Sequence, residues 1–114
     1  MANTNDFIDR RCQETMTFDS GSVTSSTIDL GGTYLSGCIM PAAISGTVYT
    51  VQGGIAEATL GGVYNNSGTA LTVSTSASRF VTFDPKDVRG FRYMRFISDT
   101  TESASRSITI IGVP

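Results

Sequence analysis

Apolar residues in this chain come in short bursts with a period of two, and turn-forming residues interrupt them at close intervals. Alternation of that kind marks strands with one face buried. It predicts strands over residues 14–18, 22–30, 34–40, 47–52, 55–60, 70–75, 80–83, 93–98 and 107–112, with 55–60 the weakest pattern. Leu71, Val73 and Thr75 share one face, as do Ile108 and Ile110. Gly31-Gly32, Ser45-Gly46, Gly53-Gly54, Gly61-Gly62 and Asn65-Asn66-Ser67-Gly68 supply the punctuation. No segment of useful length carries a helical period. The stretch DPKDVRGF, residues 84–91, suits a single helical turn, with Asp84 as its N-cap and Pro85 in the first position. Eight or nine short strands at this spacing predict an all-β fold: a single-domain antiparallel β-sandwich of jelly-roll or Greek-key type.

The segment DLGGTYLSGCIMP, residues 29–41, departs from simple alternation. Strict alternation puts Leu35 and Ile39 on one face and Tyr34, Cys38 and Met40 on the other, so both faces are apolar. An antiparallel strand usually shows water one polar face. Either a second layer of the same chain or a partner must cover the second face. Pro41 ends the ladder, because proline has no N–H to give. Residues 1–11 are polar, with Phe7 and Ile8 as the apolar anchors. They read either as a frayed terminus or as an N-terminal arm that orders on a neighbouring subunit through Phe7, Ile8, Arg10 and Arg11. The sandwich domain then spans 12–114.

Composition narrows the functions. The chain has 114 residues, 39% hydrophobic and 16% charged, which fits one globular domain. Eight basic and ten acidic residues leave a net charge of −2, unlike a general polyanion binder, which needs excess Lys and Arg. Lys86 is the only lysine, and the arginine bias suits fixed ion pairs and interfaces. There is no histidine, which removes the commonest general base and metal ligand. The two cysteines, Cys12 and Cys38, lie far from any zinc-binding spacing. They read as free buried thiols, or as one disulfide if their strands are neighbours. The opening MANTNDFIDRRC has no apolar signal core, and no window nears a spanning length. A soluble protein made in a cytoplasm, with no membrane partner, is the expectation.

Candidate chemistry is sparse. In VRGFRYMRF, residues 88–96, arginines interleave with aromatics, a pattern that can stack bases and hold phosphate. Alternation divides the run, however, with Arg92, Met94 and Phe96 on one face and Tyr93, Arg95 and Ile97 on the other. A central strand whose arginines pair with Asp84, Asp87 or Asp99 is the better reading, and no nucleic-acid partner is expected. Asp84 and Asp87 are explained by capping. YNNSG, residues 64–68, reads as a turn, since its oxygen ligands are amides rather than carboxylates. Exposed aromatics of a sandwich can bind sugars, and Tyr49, Tyr64 and Phe91 are the residues for it. No catalytic constellation, cofactor site or metal site emerges.

Three stretches taken in order resemble a family of small proteins of tailed bacteriophages. They are IDLGGTYLSGCIMPAAISGTVYTVQ (28–52), SRFVTFDPKDVRGFRYMRFIS (78–98) and RSITIIGV (106–113). The shared pattern is a DLGG turn, an apolar strand ending in MPAA, an aromatic-Pro-x-Asp segment and a strand with spaced arginines. The middle departs from it: GGIAEATLGGVYNNSG is shorter and less acidic than the loops usual in that family. The resemblance implies a non-catalytic virion component with a jelly-roll-like sandwich. Its role would be that of a capsid decoration, or cement, protein that sits on the virion as a homotrimer and binds the major capsid protein. The expected interface residues are Phe7, Ile8, Arg10, Arg11, Tyr34, Cys38 and Met40, with Arg92 and Arg95 as pairing residues. A head-fibre base, tail or adaptor protein, and a glycan-binding module for host adsorption, are the alternatives.

Overall fold

A computed structural model describes residues 12–114. The arm assigned to 1–11, with Phe7, Ile8, Arg10 and Arg11, lies outside the described residues. Among the described residues nine strands form two antiparallel sheets: β1 (Cys12–Phe18), β2 (Ile28–Asp29), β3 (Tyr34–Ile39), β4 (Val48–Gly54), β5 (Gly61–Gly62), β6 (Thr72–Ser74), β7 (Phe80–Thr82), β8 (Tyr93–Ser98) and β9 (Arg106–Val113). The first sheet has the order β1-β9-β3-β7. The second runs β2-β8-β4, and both β5 and β6 pair with the far edge of β4. With the two-residue β5 set aside, successive strands alternate between the sheets except for β4 and β6, which pair in the second; the orders β1-β9-β3-β7 and β2-β8-β4-β6 are those of a jelly roll, two interlocked Greek keys.

Alternation carries through to the core. From the first sheet Met16, Phe18, Leu35, Cys38, Ile108 and Ile110 point inward, and from the second Ile28, Tyr49, Val51, Val73, Met94 and Phe96 meet them. The layers are stitched by aromatics: the ring centroids of Phe18 and Tyr49 lie 5.7 Å apart, and those of Tyr49 and Phe96 5.9 Å. Both are tilted arrangements, which suit ring quadrupoles better than face-to-face stacking.

Where the pattern and the fold differ, local hydrogen bonding is the cause. The expected strand 22–30 contracts to Ile28–Asp29 and a single bridge between Thr24 and Ile97. Its serines satisfy backbone groups themselves. Ser22 Oγ accepts from Thr24 N, Ser25 Oγ accepts from Phe96 N, and Ser26 Oγ accepts from Thr17 N. Such side-chain bonds compete with a ladder. The expected strand 55–60 is a turn, and the residues that pair with β4 are Gly61 and Gly62. The DLGG segment makes its turn as expected. Gly31 takes a positive φ of 60° while its N–H donates to Asp29 Oδ1.

The apolar strand at 34–40 resolves through a bulge. Leu35 pairs with Gly112 and Gly37 with Ile111, so Ser36 is an extra residue and the side-chain alternation flips. Leu35, Cys38 and Met40 therefore all face the core, and Gly37 and Ile39 face out. The second sheet of the same chain covers Cys38 and Met40. This corrects the face assignment drawn from strict alternation, which cannot register a bulge.

Candidate interaction surface

The outer face of the first sheet follows from its register. One row across β1, β9, β3 and β7 reads Gln13, Ile111, Gly37, Thr82, and the next reads Thr15, Thr109, Ile39, Phe80. Thr17 and Ser107 extend it. None of these side chains is charged, although soluble proteins normally interrupt such a face with Lys or Glu. Ile39 and Phe80 are register partners and stand 39% and 60% exposed. Gly37 shapes the patch: a Cβ there would come within 2.7 Å of Val81 O and 2.9 Å of Phe80 Cε1. Its absence lets the Phe80 ring lie back over the sheet.

Cys38 and Met40, expected at an interface, are core residues with their sulfur atoms 3.9 Å apart. Burial pushes the Cys38 thiol up to about 12, and it is free. β1 and β3 are separated by β9, so the neighbouring strands that a Cys12–Cys38 bridge needs are not formed. Tyr34 is half-buried, with the Arg89 guanidinium 5.1 Å from its ring centre. Ile39 and Phe80, which sequence reasoning missed as surface apolar residues, became visible only through the bulge and the β3–β7 pairing.

The arginines separate as their alternation required. Arg92 lies just before β8 and makes a two-pronged ion pair with Asp29, at 2.8 and 3.0 Å. The Arg92 bond holds the Asp29 carboxyl below its ordinary value. The Arg92 guanidinium also sits 5.0 Å from the Tyr93 ring centre. Arg95 donates to Gln52 Oε1 at 2.7 Å. Their partners are thus Asp29 and Gln52, not Asp84, Asp87 or Asp99. Asp84 caps a 3-10 turn at Pro85–Asp87, accepting from Lys86 N, as its DPKD context predicts.

One buried carboxylate escaped the sequence reading. Glu102 is fully buried and accepts from Ser45 N (2.9 Å), Gly46 N (3.0 Å), Tyr49 Oη (2.9 Å), Ser98 Oγ (3.1 Å) and Arg106 Nε (3.1 Å). Burial alone would push its carboxyl up. The bonds from Ser45, Tyr49, Gly46 and Arg106 outweigh that, and the group lies below its ordinary value. Next to it, Asp99 accepts from Thr47 N and Thr47 Oγ1 and is held low by these bonds. Two carboxylates therefore pin three consecutive amides of the loop before β4. Every partner is a backbone, hydroxyl or guanidinium donor inside the fold, so the cluster reads as a structural clasp. Tyr49, one of the residues considered for sugar binding, is buried here, and its hydroxyl is spent on Glu102.

Among the described residues no group of three or more His, Cys, Asp or Glu could hold a metal ion, and no helix is long and apolar enough to cross a membrane. Comparison with protein families, with characterised proteins and with solved structures finds no match to this chain.

Proposed function

We propose that this protein is a non-catalytic virion component of a tailed bacteriophage, a decoration protein that binds the major capsid protein and reinforces the head. The observation that carries the reading is the outer face of the β1-β9-β3-β7 sheet, uncharged and crossed by the adjacent exposed pair Ile39 and Phe80. An uncharged face of threonines with an apolar centre suits a permanent protein contact better than catalysis, which needs converging titratable groups. The resemblance of residues 28–113 to small phage structural proteins points the same way. A jelly roll is a fold that capsid domains use, and this supports the reading only by analogy.

In this reading the Ile39–Phe80 face seats on the capsid protein, and three copies associate at one lattice position. Arg92 and Tyr34, which line one hollow at the edge of the sandwich, are the residues for contacts between copies. Co-sedimentation with capsids that lack the protein tests it. Wild type should bind saturably, and Ile39→Ser with Phe80→Ser should weaken binding at least about tenfold. Equal binding by the double variant would overturn the assigned face, and no binding by wild type would overturn the function.

A further inference from the structure

The ends of β4 and β5 and the 3-10 turn that follows β7 enclose a shallow cleft. Three adjoining hollows of about 160, 350 and 410 Å³ all include Asp87, and the two larger ones also share Tyr64 and Lys86. We propose that this cleft is a binding site for a neutral saccharide, with Tyr64 as the platform for a pyranose ring. The site does not depend on the capsid-binding face.

The cleft exists because its floor lacks side chains. Gly53 and Gly62 lie on it, and a Cβ on Gly53 would fall 2.7 Å from the Phe91 ring. Phe91 thus forms the base, 8% exposed. Tyr64 rises at the rim: its ring edge lies 3.1 Å from where a Gly62 Cβ would be, and the residue is 64% exposed. A tyrosine held against bare backbone on one side and open to solvent on the other has no packing role that explains its exposure. An apolar ring face of this sort matches the C–H face of a sugar.

The polar groups complete the match. Sugar hydroxyls both donate and accept, so they need carboxylate or amide acceptors beside ammonium or amide donors. Asp87 supplies the acceptor, and Lys86 and the exposed Asn66 supply donors in the same hollow. Asn65 is fixed nearby, its Oδ1 accepting from Ser67 N and Thr69 N, which sets the loop that presents Asn66. An anionic ligand fits poorly. Lys86 Nζ already lies 3.2 Å from Asp87 and 3.6 Å from Asp84, and the Arg89 guanidinium rests on Tyr34. A phosphate would meet the carboxylates of Asp87 and Asp84, which together balance the charges of Lys86 and of Arg89, the other cation lining the cleft. The volume is at the low end for small-molecule sites, which suits one or two sugar units of a longer glycan.

The test is a ¹H–¹⁵N NMR titration of the full chain with the methyl glycosides of glucose, galactose, mannose and N-acetylglucosamine, and with inorganic phosphate as the competing chemistry. At least one glycoside should shift the amides of Gly53, Gly62, Tyr64, Asn66 and Asp87 saturably. Tyr64→Ala should weaken that binding about tenfold while its other amide resonances stay in place. Asp87→Asn, as a second variant, should weaken it too. No saturable shift with any glycoside, shifts produced by phosphate alone, or undiminished binding by Tyr64→Ala would each overturn the assignment.

Discussion

Removing the Glu102 carboxylate would leave Ser45 N, Gly46 N, Tyr49 Oη and the partly buried Arg106 without their acceptor. Breaking one side of a buried pair costs about 3–5 kcal/mol, because the remaining charge and donors stay desolvated. Glu102→Ala should lose stability on that order in chemical denaturation, and Glu102→Gln less, since it keeps an accepting oxygen. The sign of the pH effect follows from the depressed carboxyl. Its stabilisation is complete above the ordinary glutamate value of 4.5 and is lost as pH falls through the lower folded value. Wild type should therefore lose stability with acid more steeply than Glu102→Gln, and parallel curves would contradict the clasp. Nothing in the sequence marked Glu102. Its acceptor role is set by residues 57 and 53 positions away, Ser45 and Tyr49. The i,i+4 spacing to Arg106 suggests a helix pair in a segment that is not helical. Cys38 was more legible: its apolar neighbours pointed to burial, and its thiol, pushed to about 12, should resist iodoacetamide in folded Cys12→Ser protein and react on unfolding.

Among the elements, β3 shows best what a pattern can and cannot convey. Its hydrophobicity, its start after Gly31-Gly32 and its stop at Pro41 could all be read from residue types, and each is where the pattern put it. The bulge at Ser36 could not, because an extra residue is specified by pairing with β9 and leaves no period of its own. That single shift decided which of Leu35, Cys38, Ile39 and Met40 reach the surface. Gly37→Val should cost about 1–3 kcal/mol in thermal or chemical unfolding, since the new Cβ meets the Val81 carbonyl as well as the Phe80 ring. A neutral effect would mean that β7 yields more readily than its pairing suggests. The loop before β4 should behave as a second cooperative piece. Amides of Ser45, Gly46 and Thr47, bonded to Glu102 and Asp99, should be protected from hydrogen exchange near neutral pH. Their protection should fall selectively in Glu102→Ala.

At the scale of the whole molecule, the all-β sandwich and most strand positions were readable from alternation and turn chemistry. The jelly-roll order was narrowed only to a class, because strand neighbours lie far apart in sequence. The candidate surface was the least legible feature. Ile39 and Phe80 are ordinary strand residues until β3 and β7 are placed side by side, whereas the uncharged rows of Thr15, Thr109, Gln13 and Thr82 come from three different strands. Tyr64 and Phe91 were visible as aromatics, but only the fold brings them to one cleft and removes Tyr49 from it. Under the proposed reading the Ile39–Phe80 face serves attachment, and the cleft beside Tyr64 is a separate site. The most direct test of the attachment role is a cryo-EM reconstruction of virions that contain the protein, with copies counted per particle. The expected result is density at many symmetry-related lattice positions, with the Ile39–Phe80 face against the capsid protein. A few copies at one vertex or on the tail, or this face turned to solvent, would contradict it.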